Sequence, residues 1–218
     1  MKTESKKNLF ITICALTAFL LWTVAISFID VKAIGANGTS VGFSTINGWF
    51  HEFTGVHMSM YIISDWLGLI PFGIVVGFAI LGLAQWIKRK TLSQVDRDII
   101  ILGIYYIIVA TVYLLFEVVV INYRPILING ALEVSYPSST TMLVLCIMPT
   151  TLMQLNARIK SPTLKRYLSF IIIAFTVFMV IVRLISGVHW LTDIIGGILI
   201  SIGLVFLYRF FINLNSNI

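Results

Sequence analysis

Residues 183–193, RLISGVHWLTD, join two strongly apolar runs and place three charged or titratable groups where hydrocarbon would begin or end. Such groups are costly at membrane depth, so they mark functional sites by default. If His189 and Asp193 lie on one helix, their i to i+4 spacing puts them on the same face. The carboxylate would then fix the imidazole tautomer, leaving the other ring nitrogen to attack an electrophile, and Arg183 would offer planar donors to phosphate oxygens. The alternative is structural: a His–Asp pair that steadies a helix start and an arginine at the lipid headgroups.

The composition is that of a polytopic helical membrane protein. The 218 residues are 59% hydrophobic and 11% charged, with a mean hydropathy of +1.00. These values exclude an ordinary soluble domain and predict one all-α membrane domain over residues 1–218. The net charge of +6 does not indicate nucleic acid, because the basic residues cluster in short loops between apolar runs. Cys14 and Cys146 lie inside apolar runs, where small packing residues are expected.

Apolar runs predict a bundle of six transmembrane helices, at about residues 9–29, 67–87, 99–121, 139–156, 167–185 and 194–212. The first run is longer than a signal-peptide core, so we expect it to be retained. We expect Pro71 to kink the start of the second span. The outer segment, about residues 30–64, carries several aromatic residues and predicts a loop with a short interfacial helix.

The basic residues divide unevenly between the two sides of a six-span protein. Of the 15, twelve lie on the side of the termini: Lys2, Lys6, Lys7, Lys88, Arg89, Lys90, Arg97, Arg158, Lys160, Lys165, Arg166 and Arg209. Three lie on the other side: Lys32, Arg124 and Arg183. Because cytoplasmic loops carry the excess of Lys and Arg, both termini are predicted in the cytoplasm, with the protein in a bacterial plasma membrane.

Three irregular stretches share the predicted outer face. They contain Arg124-Pro125, the run Pro137-Ser-Ser-Thr140, and residues 183–193. The only outer-face arginines belong to these stretches. Two arginines retained against the charge bias, beside a positioned histidine, predict an anion site.

At this point the sequence resembles the type 2 phosphatidic acid phosphatase (PAP2) family. That pattern comprises Lys-x6-Arg-Pro, then Pro-Ser-Gly-His, then Ser-Arg-x5-His-x3-Asp, on one face of a six-helix bundle. By this resemblance His189 is the nucleophile that forms a phosphohistidine, Asp193 orients it, and Arg124 and Arg183 hold phosphate oxygens. Ser138 and Ser139, in the second motif, are the further phosphate-binding residues that the resemblance implies. The family uses no metal or cofactor.

The sequence departs from the family pattern at three positions. Val182 replaces the serine before Arg183, Glu117 replaces the first-motif lysine, and Thr140 replaces the second-motif histidine. The histidine is understood to protonate the leaving alkoxide, a contribution on the order of 100- to 10,000-fold that threonine does not supply near neutral pH. Glu117 repels phosphate unless it pairs with Arg124, seven residues on and on the same face of a continuous helix.

Several functions therefore stay open. The resemblance implies a phosphatase that acts at the outer face on a lipid phosphate, or on a polyprenyl diphosphate such as undecaprenyl diphosphate, whose leaving group needs less protonation. In a second account, another residue, among His51, His57 and Glu133, donates the proton to the leaving group. A catalytically silent protein that binds lipid phosphates is a third. A small transporter is the last alternative, since six spans with midplane breaks can transport.

Overall fold

The computed structural model describes residues 2–214, and within that range the regular structure is helical. The α-helices are α1 (Lys2–Phe28), α2 (Ser44–Thr54), α3 (Met58–Leu67), α4 (Leu69–Arg89), α5 (Arg97–Val118), α6 (Ser139–Arg158), α7 (Pro162–Ile185) and α8 (Leu191–Leu214). Short 3-10 turns occupy Ala36–Gly38 and Leu92–Gln94. The all-α prediction is confirmed. Residues 1 and 215–218 of the predicted domain lie outside the described range.

Six helical stretches of the described chain are long and apolar enough to cross a membrane, and the prediction of an integral membrane protein with six spans is confirmed. Five are α1 and α5 to α8, and the remaining one joins α3 and α4 over Met58–Arg89. This span starts nine residues before the predicted position 67. At 32 residues it exceeds the ~20 that cross a bilayer, so its α3 end extends towards the surface. The predicted interfacial helix corresponds to α2.

The second span is interrupted at Gly68, between α3 and α4. Pro71 has no N–H to donate to the carbonyl of Leu67, so the regular i to i−4 bond is missing at this point. The Gly68 N–H bonds the Ser64 carbonyl at 2.9 Å and closes α3. The break lies three residues before the proline that was expected to cause a kink. Gly68 keeps right-handed helical dihedral angles, φ −60° and ψ −18°, and α3 packs against α7.

Helix α6 is the centre of the bundle and contacts α4, α5, α7 and α8, while α1 packs along α8. Half of its membrane-spanning window is buried inside the protein, and this run is the least apolar of the six. Its buried residues join two apolar clusters: Met142, Cys146 and Ile147 in one, and Val144 and Met148 in the other. A helix shielded from lipid can carry polar residues at its ends, and the N-terminus of α6 is one wall of the site described below.

The link between α5 and α6 is an irregular hairpin. Antiparallel bridges pair Tyr123 with Val134 and Ile128 with Ala131, and Asn129 and Gly130 at its tip have positive φ values of 50° and 79°. Positive φ at two adjacent residues is typical of a type I′ hairpin turn. The hairpin sets Arg124 opposite Glu133: the Arg124 N–H donates to the Glu133 carbonyl at 3.0 Å.

Gly187 allows the outer segment to pack on the turn between α7 and α8. Its φ is +70°, and a Cβ there would lie 2.0 Å from the carbonyl oxygen of Gly55. The adjacent contact is a hydrogen bond from the His57 N–H to the Ser186 carbonyl at 2.9 Å. The link between α2 and α3 is therefore held against the residues that precede His189.

Two glycine substitutions separate backbone strain from this close contact. Gly130 also has positive φ, but a Cβ there meets nothing within 4 Å. Gly130→Ala should cost about 1 kcal/mol of strain, whereas Gly187→Ala should cost about 1–3 kcal/mol more from overpacking. Thermal unfolding in detergent should give a lower Tm for Gly187→Ala than for Gly130→Ala. Equal Tm values for the two variants would contradict the packing of Gly55 on this turn.

Candidate active site

His189 is a buried imidazole whose tautomer is set by a backbone carbonyl. It lies in the turn before α8, is 4% exposed, and its Nδ1 is 3.1 Å from the carbonyl oxygen of Ser135. A carbonyl only accepts, so Nδ1 carries the proton of the neutral ring. Nε2 is then left with its lone pair, and it is buried without a hydrogen-bond partner among the described residues. That lone pair is available to attack an electrophile.

Asp193 supports the turn rather than bonding the imidazole. The condition that His189 and Asp193 share a helix is not met, because α8 begins at Leu191. From the first turn of α8, Asp193 Oδ2 accepts the Trp190 N–H at 2.9 Å and Oδ1 accepts Asn122 Nδ2 at 3.2 Å. Oδ2 is 3.7 Å from His189 Nδ1, beyond hydrogen-bond range but close enough to stabilise a positive ring. The carboxylate thus caps the helix and supplies negative charge beside the imidazole.

Arg183 is a cation buried in the last turn of α7, with 1% of its surface exposed. Nη1 donates to Ser64 Oγ at 3.1 Å and lies 3.9 Å from Asp65 Oδ1. Both partners belong to α3, which packs against α7. Arg183 Nε is buried and has no hydrogen-bond partner within residues 2–214.

Arg124 is held by the hairpin and pairs with Glu133, not with Glu117. Its Nε is 3.0 Å from Glu133 Oε2, an ion pair without the geometry of a directed hydrogen bond, and its Nη1 has no partner in the described part of the chain. The expectation that Glu117 and Arg124 share a helical face is wrong. Helix α5 ends at Val118, and Arg124 lies beyond it in the hairpin. Glu133 is consequently a partner of the site rather than a solvated loop charge.

Tyr61 brings the two arginines to one place. The guanidinium carbon of Arg183 is 4.9 Å from the centroid of its ring, and that of Arg124 is 5.5 Å away. An aromatic face attracts cations and contributes about 0.5–2 kcal/mol for each such contact. The ring therefore offsets part of the repulsion between two positive groups that it holds close together.

The same two charges act on the histidine. Burial comes first, and the positive charges of Arg183 and Arg124 add to it in holding the pKa of His189 well below its ordinary value. The imidazole is therefore neutral at pH 7, the state in which a histidine acts as a nucleophile.

A cavity of about 280 Å³ opens beside this cluster. Arg124, Glu133, Ser135, Ser139 and Glu117 supply its polar lining. Ser135 therefore lines the cavity and also accepts the bond from His189. A negative group, Glu117, occupies the edge where the family pattern has a lysine.

The second-motif residues Ser138, Ser139 and Thr140 lie in different surroundings. The Ser138 hydroxyl is fully buried and donates to Thr141 Oγ1 at 3.0 Å, so it is engaged inside the protein. Ser139 lines the cavity of Arg124 and also a neighbouring one of about 190 Å³. Thr140 lines only the neighbouring cavity, together with Asp65.

The three candidate acids lie in different surroundings. Glu133 is in the cavity, paired with Arg124. His51 is on α2 with its ring 5.5 Å from that of Trp190, and burial lowers its pKa. His57 is exposed, with Nε2 2.9 Å from the Thr54 carbonyl.

The sequence alone did not predict the side chains that surround Arg124, Arg183 and His189. Tyr61, Ser64 and Asp65 come from α3, which was assigned to an outer loop and the approach to the second span. Their i, i+3, i+4 spacing is a polar helical face in an apolar stretch, and that was the available signal. Asn122 and Ser135 lie in the hairpin, and long-range pairing of that kind leaves no local periodicity to read.

Residues 117–216 match the PAP2 superfamily. No curated protein sequence matches the chain. A crystal structure described as the first transmembrane PAP2 type phosphatidylglycerolphosphate phosphatase from Bacillus subtilis has a similar fold. The TM-score is 0.55 with 20% identity, over 95% of this chain and 98% of that one.

The protonation state of His189 is directly measurable. In ¹⁵N-histidine NMR spectra of the detergent-solubilised protein, assigned with His189→Gln, we expect a neutral Nδ1–H tautomer. Because burial and two cations oppose protonation, the ring should remain neutral as the pH falls through about 6.5, where an ordinary histidine titrates. A His189 signal that titrates near that pH, or that has the proton on Nε2, would contradict the geometry.

Proposed function

We propose that this chain, whose residues 117–216 match the PAP2 superfamily, is a membrane phosphatase that hydrolyses a lipid phosphate or polyprenyl diphosphate through a phosphohistidine on His189. One observation carries the proposal. Arg124, Arg183 and His189 contribute four buried nitrogen atoms that lack a hydrogen-bond partner among the described residues: Nε and Nη1 of Arg124, Nε of Arg183 and Nε2 of His189. Buried donors without partners are costly, and a phosphoryl group would satisfy the arginine donors while facing the histidine lone pair.

Binding begins with the exchange of one anion for another. The substrate phosphate reaches the cavity beside Arg124 and competes with Glu133 for its guanidinium. Glu133 has 40% of its side chain exposed, so it can move into solvent when the phosphate takes its place. Arg183 then holds a second phosphate oxygen, with Tyr61 keeping both guanidinium groups in position.

The chemical step forms a bond from His189 Nε2 to phosphorus and breaks the bond from phosphorus to the leaving oxygen. The ring becomes positive, and its Nδ1–H remains bonded to the Ser135 carbonyl, 3.7 Å from the Asp193 carboxylate. Water then attacks the phosphohistidine. Inorganic phosphate leaves with the proton of that water, and the imidazole returns to its neutral form.

The leaving group favours a diphosphate over a phosphate monoester. A departing lipid monophosphate has a pKa near ~6 and leaves without a donated proton, whereas an alkoxide requires an acid. Thr140 does not provide one. Asp65, in the same cavity as Thr140, and Glu133, paired with Arg124, are the nearby carboxyl groups.

We place the site on the outer side of a bacterial plasma membrane, with both termini in the cytoplasm. The support is the distribution of basic residues, twelve against three, with two of the three being Arg124 and Arg183. The midplane polar site expected of a transporter has no counterpart in this arrangement, because the polar side chains described above gather near one end of the bundle.

A second function, binding of lipid phosphates without turnover, is favoured by Glu117 and Thr140. These residues replace the cation and the acid of the family pattern, and they leave the two arginines intact. The two functions differ in what His189 does: it is a nucleophile in one and only a neighbour of the bound phosphate in the other.

Measurement of phosphate release from the purified protein distinguishes the phosphatase from the protein that only binds lipid phosphates. We expect faster release from undecaprenyl diphosphate than from phosphatidate, and a loss on the order of 1,000-fold or more in His189→Ala, because the nucleophile is removed. Thr140→His should raise the phosphatidate rate by about 100-fold, since it restores an acid. His57→Ala tests the account in which His57 supplies the proton: its ring is exposed and bonded to the Thr54 carbonyl, and an unchanged rate would remove it from the candidate acids.

The opposite outcomes are equally specific. If no phosphate is released from undecaprenyl diphosphate, phosphatidate or phosphatidylglycerophosphate, the phosphatase function is excluded. Binding that survives His189→Ala and is lost in the Arg124→Gln, Arg183→Gln double variant would then identify the silent binding protein.

A further inference from the structure

Residues 47–57, which comprise most of α2 and the link to α3, run along the turn that carries His189. Four contacts join this segment to residues 186–192, and the partners run in opposite directions along the chain: Asn47 with Thr192, His51 with Trp190, Gly55 with Gly187 and His57 with Ser186. We call residues 47–57 the brace. The backbone on both sides of His189 is therefore attached to a segment from the other end of the sequence.

Asn47 makes the most directed of these contacts. It is 0% exposed, and its Oδ1 accepts the Thr192 N–H at 3.2 Å. Its Nδ2 donates to Thr192 Oγ1 at 3.0 Å and to the Gly42 carbonyl at 2.7 Å. Thr192 is the second residue of α8, so its N–H is one of the first four of a helix, which have no partner within it. A side-chain oxygen at the helix's own N-cap normally accepts such a bond, but here the acceptor lies 145 residues earlier in the chain.

Helix α1 fixes the remaining polar atom of Thr192. Trp22 Nε1 donates to the Thr192 carbonyl at 3.1 Å. The Trp22 ring stacks on Phe43, the residue before α2, with ring centroids 5.0 Å apart. The N–H, the carbonyl and the hydroxyl of Thr192 thus all bond side chains from the N-terminal part of the chain.

The hairpin after α5 holds the same turn through other atoms. The Tyr123 carbonyl accepts Trp190 Nε1 at 2.8 Å, and the Ser135 carbonyl lies 3.1 Å from His189 Nδ1. The hairpin therefore orients the imidazole ring, whereas the brace fixes the backbone that carries it. The direction of His189 Nε2 depends on both attachments, because a ring bonded at one nitrogen still moves with its own Cα.

We propose that Asn47 is a positioning residue for His189: it fixes the first turn of α8, and thereby the approach of Nε2 to a phosphoryl group on the two arginines. This inference rests on the proposed function and adds a residue of the outer segment to it. Arg124 and Arg183 take their partners from the hairpin and α3, so phosphate binding does not depend on Asn47. The nucleophile does, and a displacement of about 1 Å costs on the order of 100-fold in rate.

Two buried amides that bond α8 give a matched pair of variants. Asn47 bonds Thr192 at the start of α8, and Gln154, 2% exposed on α6, donates to the Tyr208 hydroxyl near its other end. Asn47→Leu and Gln154→Leu each replace an amide by an apolar side chain of similar size. Both should lower the Tm in detergent, because each removes buried hydrogen bonds. Only Asn47→Leu should affect the chemical step.

The kinetic test measures kcat and KM of the full chain with undecaprenyl diphosphate. Asn47→Leu should lower kcat by about 100-fold and leave KM little changed, because the cations that bind phosphate stay in place. Gln154→Leu should keep both values. Thr192→Val keeps the shape of its side chain and removes only the acceptor of Asn47 Nδ2, so it should lower kcat by about 5- to 10-fold. This milder variant carries the test if Asn47→Leu does not fold.

A spectroscopic test needs no substrate. In ¹⁵N-histidine NMR spectra, the single Nδ1–H tautomer of His189 should become a mixture with the Nε2–H form in Asn47→Leu, because the ring loses its fixed distance to the Ser135 carbonyl. Gln154→Leu should retain the single tautomer.

Three results would overturn the proposal: an unchanged kcat in folded Asn47→Leu and Thr192→Val, a rise in KM without a fall in kcat, or an equal fall in kcat in Gln154→Leu. The last result would assign the effect to general stability. The two tests also separate this inference from the proposed function. A native protein that releases no phosphate, with a tautomer that changes in Asn47→Leu, rejects the phosphatase alone. An active native protein with full activity in both brace variants rejects the role of Asn47 alone.

Discussion

Arg183 has 1% of its surface exposed, and a cation held so far from solvent costs several kcal/mol unless other groups compensate for it. Ser64 accepts one of its hydrogen bonds and the ring of Tyr61 covers its guanidinium, but Asp65 is 3.9 Å away and largely exposed. A second guanidinium, that of Arg124, lies against the same ring. The protein therefore stores positive charge that its own carboxylates neutralise only in part. A phosphate anion is the ligand that would relieve this repulsion and also use the unpartnered donors.

The positive charge of Arg124 and Arg183 also keeps the His189 imidazole neutral and therefore nucleophilic. Two nearby cations and burial disfavour the imidazolium, so the ring stays neutral, and the Ser135 carbonyl selects the tautomer that leaves Nε2 unprotonated. Once an anionic phosphoryl group neutralises the arginines, the opposition to a positive ring decreases. Anion binding and the formation of a positively charged phosphohistidine are thereby coupled, with Asp193 close enough to stabilise the charged ring.

The fold makes this arrangement from elements far apart in sequence. Helix α3 packs against α7 and places Tyr61, Ser64 and Asp65 beside Arg183. The hairpin after α5 pairs Arg124 with Glu133, which covers one cation until a ligand displaces it. The buried position of α6 brings Ser139 to the cavity beside Arg124 and to the neighbouring one that Asp65 lines.

Six spans were predictable because a membrane demands long apolar helices, and each leaves a continuous run in the sequence. Arg124, Arg183 and His189 were predictable as neighbours because they are charged or titratable groups at the ends of such runs. The partners of these residues were not. Glu117 lost its expected role because α5 ends at Val118, and Asp193 bonds the Trp190 N–H because α8 begins two residues after His189. Those outcomes depend on where helices end, and hydropathy determines that boundary only to within a few residues.

A crystal or cryo-EM structure with bound orthovanadate tests the central claim most directly, because vanadate adopts the geometry of a phosphoryl group under attack. The account predicts vanadium bonded to His189 Nε2, with its oxygens contacting both Arg124 and Arg183 and with Glu133 displaced from Arg124. Vanadate bound elsewhere, or bound by the arginines with no contact to His189, would contradict it.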